Sequence, residues 1–69
     1  MENFIRHDLF AVKEYQDGIW VFVFISSHRW EAENYRSALI GRSFRKPKLV
    51  HPSQRIVNAY EAAGNTISI

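Results

Sequence analysis

The chain contains no cysteine. No disulfide can hold a small fold together, and no thiolate can bind zinc or act as a nucleophile. That composition fits a reducing compartment. Proline and glycine are sparse, at two and three residues, which excludes collagen-like and low-complexity chains. Long hydrophobic runs are missing as well. The longest, Ile19-Trp20-Val21-Phe22-Val23-Phe24-Ile25, is too short to cross a bilayer as a helix, which takes about 20 residues. Residues 1–8 carry neither the basic start nor the apolar stretch of a secretory signal. The expectation is a cytoplasmic protein with no membrane partner.

The usual constellations of chemistry are also missing. His7, His28 and His51 stand singly, without the paired spacing that metal sites prefer. Gly18, Gly41 and Gly64 are too dispersed to form a phosphate-cradling loop. Ser27, His28 and Asp8 have the residue types of an activated nucleophile, but no local spacing joins them. A pair of carboxylates across a cleft needs more room than a short chain offers, since small-molecule pockets hold about 300–1,000 Å³. The expectation is therefore no catalytic residue, no metal, no cofactor and no enzyme.

What is present suits one small packed domain. The 69 residues fall near the lower end of the domain range of about 50–250. A chain of this size buries only about 60% of its unfolded surface. Five Phe, three Tyr and two Trp supply bulk for the core. Residues 19–25 are β-branched and aromatic throughout, which predicts a strand. Alternation puts Trp20, Phe22 and Phe24 on one face and Ile19, Val21, Val23 and Ile25 on the other. Both faces are apolar, so this strand is expected at the centre of a sheet.

Asp17-Gly18 precedes it and signals a hairpin, with Leu9–Tyr15 as the partner strand. A helix is the alternative for this first segment. On a helical wheel Phe4, Ile5, Leu9, Ala11, Val12 and Tyr15 share a side, with only Phe10 opposite. The Asp-Gly turn favours the strand.

A helix is predicted over 29–40, with Ser26-Ser27 as cap, Glu31 and Glu33 in its first turns, and Gly41 as its stop. Lys48-Leu49-Val50 is a candidate edge strand, because Pro47 weakens the case for a central one. A second helix is predicted from Pro52 to Gly64, with His51 as its cap. The alternating tail 65–69 reads as a last strand. The fold class is α+β: a small single-layer sheet with two helices on one face, in the order β-β-α-(β)-α-β. The uncovered face of Ile19–Ile25 then suits a second copy, and a homodimer is expected.

Charge is segregated along the chain. The net charge is only +2. Residues 1–33 hold six acids against three cations, whereas 34–60 hold no acid at all. That acid-free window contains Arg36, Arg42, Arg45, Lys46, Lys48 and Arg55, with Phe44 in its densest part. Cations interleaved with an aromatic suit phosphates and an unpaired base. The bland reading is a solvated loop with Phe44 plugged into the core. Arg29, Trp30 and Tyr35, with Arg36 beside them, have the composition of a protein-interface anchor. No RRM, KH or zinc-finger signature occurs, and a long basic segment separates the two helices where a helix-turn-helix has a short turn.

The favoured expectation is a small non-enzymatic protein that docks on a macromolecular partner and modulates it. Its size is that of accessory proteins encoded by phages and mobile elements. The alternative is a nucleic-acid-binding module using residues 36–55.

Overall fold

The computed structural model describes residues 2–69. Its elements are β1 (Phe10–Gln16), β2 (Ile19–Ser26), α1 (Arg29–Ile40), β3 (Lys48–Val50) and α2 (Gln54–Ala62). This is the small α+β fold the sequence predicts. The three strands form one antiparallel sheet, and the two-helix count holds.

The hairpin closes at Asp17 (φ 48°) and Gly18 (φ 90°). Two successive positive-φ residues are what a type I′ turn requires. The turn fixes the register Gln16–Ile19, Tyr15–Trp20, Glu14–Val21 and Lys13–Phe22. Residues 10–16 are therefore strand, and the helical alternative fails there.

The sheet order is β2-β1-β3, so β1 is central and the apolar β2 lies at an edge. The expected central position of 19–25 is corrected. β1 wins the centre because it pairs with β2 on one side and β3 on the other. Its consecutive residues Ala11 and Val12 are both 0% exposed. Neighbours on a strand point to opposite faces, so both faces of the sheet are covered at Ala11 and Val12.

Different helices cover them. Ala11, Leu9 and Ile25 pack with Val57 and Tyr60 of α2. Val12 packs with Ala32 and Leu39 of α1, joined by Phe24 and Leu49. The helices thus take opposite faces rather than sharing one. β3, on the far edge of the sheet, carries the chain from one face to the other between the helices. α2 covers part of the face that sequence patterning leaves to a second copy, around Leu9, Ala11 and Ile25, while Tyr15, Trp20 and Phe22 on the same face stay half-buried.

A bulge refines β2. Val12 pairs with Phe24 while Lys13 pairs with Phe22, leaving Val23 as an extra residue. Phe22 consequently joins the α2 cluster, whereas Val23 and Phe24 join the α1 cluster. Simple alternation would have kept Phe22 and Phe24 together.

The element ends show what the local chemistry selects. Ser53, not His51 or Pro52, caps α2, and its hydroxyl accepts the Ile56 N–H at 3.3 Å. Serine is one of the best residues for this task. His51 instead donates from Nδ1 to the Leu9 carbonyl at 2.9 Å. That carbonyl can only accept, so Nδ1 carries the proton. Gly64 follows the helix at φ 91°, as a left-handed terminator should.

His28 is the N-cap of α1 and gives no side-chain cap bond. The buried Ser26 hydroxyl serves the junction from two residues earlier. It accepts the His28 N–H at 2.9 Å and donates to Glu31 at 2.6 Å. The tail forms no strand. It makes one parallel bridge, Ser26–Ser68, and the Ser68 hydroxyl donates to the same Glu31 oxygen at 2.6 Å. Among the described residues, no helix is long and apolar enough to cross a membrane.

Candidate nucleic-acid interface

The hairpin register builds one surface on the α2 face of the sheet. Lys13 and Tyr15 of β1 share that face with Trp20 and Phe22 of β2, their direct partners. Lys48 of β3 pairs directly with Lys13. Three strands therefore contribute two ammonium groups and three aromatic rings to a single patch.

Its geometry is specific. Lys48 Nζ lies 4.7 Å from the Trp20 ring centre, and Lys13 Nζ lies 5.9 Å from it. Lys13 is also 5.8 Å from Phe22. The Arg45 guanidinium sits 4.5 Å over Tyr15, which meets Trp20 edge-on at 5.5 Å. Cations over ring faces are held by the aromatic quadrupole. Like charges directly opposite on a sheet are destabilising. Here two lysines on neighbouring strands face each other, and both reach the same indole on the third strand.

The basic loop is anchored so that its tip projects. Pro47 is buried, and its carbonyl accepts from Arg36 Nε at 2.8 Å. At the other end the Ser43 hydroxyl donates to Glu14 at 2.6 Å. That bond, followed by one from the Gln16 amide, holds the Glu14 carboxyl below its ordinary range. Between these anchors Phe44, Arg45 and Lys46 are exposed. Phe44 is 88% exposed, 6.5 Å from Tyr15. The reading of Phe44 as a core plug is excluded.

The residues singled out from sequence thus divide. Phe44, Arg45 and Lys48 come together at this patch, and Lys46 projects beside Arg45. Arg36 is a structural brace for the loop. Arg42 helps lower the Glu14 carboxyl, and Glu14 lies on the opposite face of the sheet. Arg55 is exposed in the first turn of α2, four residues before Ala59. Positions four apart share a helix side, and Ala59 lines a groove beside Trp20.

The second group does not converge. Trp30 is 63% exposed and sits near His28, with ring centres 6.0 Å apart. Tyr35 stacks flat on Phe24 at 4.4 Å, on the α1 face. Five helical positions separate Trp30 from Tyr35 by about 140°. Arg29 is tied to Glu33 at 3.2 Å. These side chains make no single anchor.

Sequence reasoning missed Lys13 and Tyr15 as site residues and weighed Trp20 and Phe22 as core. The signal was available in the Asp17-Gly18 turn. A two-residue turn fixes which residues face each other, and alternation then puts these four on one side. The pairing of Lys48 with Lys13 had no such signal, because it joins segments 35 residues apart.

Electrostatics isolate the patch. Among the described residues the ion pairs are Arg6–Asp8 and Arg29–Glu33. Neither involves Lys13, Arg45, Lys46 or Lys48. No protein-family model, curated protein or solved structure matches this chain.

Proposed function

We propose that this protein is a non-enzymatic binder of single-stranded nucleic acid in the cytoplasm, acting through the α2 face of its sheet. The observation that supports this most is the opposed Lys13–Lys48 pair, both ammoniums lying over Trp20. Two like charges placed opposite each other, with no carboxylate partner, cost the free protein stability. A phosphate between them relieves that repulsion and releases counterions from the strand.

Aromatic side chains beside a cationic track are the recurring device for holding unpaired bases. Tyr15 and the projecting Phe44 supply stacking surfaces, and Arg45 and Lys46 extend the track. Every group lies on one copy of the chain, so this reading needs no homodimer. Docking on a protein through Arg29, Trp30 and Tyr35 gains no support, because those side chains point to separate places.

The test is fluorescence anisotropy with labelled DNA and RNA strands of about 15 nucleotides, near one single-strand site size. Three neutralised phosphates on a single strand, one shared by Lys13 and Lys48 and one each at Arg45 and Lys46, give a log–log salt slope of about −2.1. Affinity should then fall about 20-fold between about 50 and about 200 mM salt. Phe44→Ala should weaken binding about 5- to 150-fold, the range for one stacked base. Trp30→Ala should leave it unchanged. Loss of binding in Trp30→Ala with retention in Phe44→Ala would reverse the assignment of faces.

A further inference from the structure

A groove of about 350 Å³ runs between β2 and α2, bounded by Trp20, Phe22, Ile56, Ala59, Tyr60 and Asn65 among others. We infer that this groove seats one unpaired base of the strand whose phosphate lies between Lys13 and Lys48. The inference rests on the reading above and adds base recognition to it.

Trp20 joins the two features. Its indole is a wall of the groove, and the same ring carries both ammonium groups, at 4.7 and 5.9 Å. A nucleotide has this composition: an anionic phosphate next to a flat ring whose faces are apolar. A groove beside two unpaired cations is complementary to that combination. An apolar protein segment or a second copy of this chain, which carries the same cations, does not match it. No charged side chain lines the groove.

The width comes from small residues. Ala59 and Ala63 line the groove together with Trp20, and a larger side chain at 59 would fill it. The volume lies near the low end of small-molecule sites, about 300–1,000 Å³. Asn65 is the only amide in the lining. Its side chain offers both donors and an acceptor, which is what the edge of a base presents in return.

The test uses the full chain carrying Trp30→Phe, so that Trp20 is the only indole. Probes are labelled dT, dA and dC strands of about 15 nucleotides and an abasic strand of the same length. Trp20 emission should change with every strand, because the phosphate meets the two ammonium groups over its ring, and should change further with the base-bearing strands than with the abasic one. Ala59→Leu fills the groove with a good helix former at an exposed position. It should abolish the additional change that depends on the base and cut the preference for bases over abasic sites about 5- to 150-fold, the worth of one stacked base. The salt slope should stay the same. Asn65→Ala should flatten the ranking among dT, dA and dC.

Unchanged emission and affinity in Ala59→Leu, with the salt slope intact, would overturn the groove assignment and leave the binding face standing. A change of sedimentation coefficient in Ala59→Leu, with base preference intact, would assign the groove to a second copy and overturn it equally. Absence of strand binding in the parent chain would remove the underlying reading itself.

Discussion

The separation of the two helices by the sheet makes a quantitative expectation about stability. Leu39 of α1 and Val57 of α2 are both buried, in clusters that share no residue. Leu39→Ala should cost about 2–5 kcal/mol, the range for deleting a buried leucine side chain. Val57→Ala removes two methyl groups, worth about 0.8 kcal/mol each in transfer, and a cavity contribution brings this to about 2 kcal/mol. A chain of 69 residues has about 3–10 kcal/mol in total, at about 0.05–0.15 per residue. The double variant thus approaches the limit of folding and is best measured in trimethylamine N-oxide, which strengthens effective burial. Urea denaturation of the parent, both single variants and the double variant gives the coupling energy. With the sheet between the two sites, the costs should add to within about 0.5 kcal/mol. A coupling of about 1 kcal/mol or more would mean a shared cavity, and so two helices on one face.

Other expectations follow from single contacts. Gly18→Ala places a Cβ at φ 90° and should lower stability by about 1–2 kcal/mol, the left-handed penalty; a thermal melt should drop by several degrees. Ser53→Ala removes the α2 cap and should cost about 1 kcal/mol, read by urea denaturation. Bonds from Ser26 and Ser68 hold the Glu31 carboxyl below its ordinary value of 4.5. A carboxyl depressed in the folded state contributes stability above its unfolded value, and that contribution fades as pH falls through the folded value. Acidification below about pH 4.5 should therefore loosen the tail first, seen as faster amide exchange at Ser27 and Ser68, while Glu31→Gln should show fast exchange there already at neutral pH.

Local signals were readable in the sequence wherever they were strong. The Asp17-Gly18 turn, the helix over 29–40 and the left-handed Gly64 all belong to short stretches whose chemistry decides their conformation. The errors arose where distant segments compete. Nothing within residues 19–25 says that β3 will pair with β1 and displace β2 from the centre. Nothing local marks the Val23 bulge, which parts Phe22 from Phe24. Assigning both helices to one face then followed from a missing crossover. In the candidate site, the charge segregation singled out Phe44, Arg45, Lys46 and Lys48, of which Phe44, Arg45 and Lys48 meet at the patch. It also swept in Arg36, whose guanidinium is committed to the Pro47 carbonyl. Lys13 escaped notice because it stands in the acidic half of the chain and reaches the basic half only through the β1–β3 ladder.

The opposed lysines are best tested by the salt dependence of single-strand binding in the parent chain and in a Lys13→Gln/Lys48→Gln variant. The parent should give a log–log slope of about −2.1, and the variant about −1.4, since the one phosphate shared by the two lysines is gone. The stability of the variant should stay close to that of the parent, because the relief of like-charge repulsion offsets the lost contacts of the ammonium groups with Trp20 and Phe22. Equal slopes in the two proteins, or a slope near zero in the parent, would contradict a phosphate seat between Lys13 and Lys48.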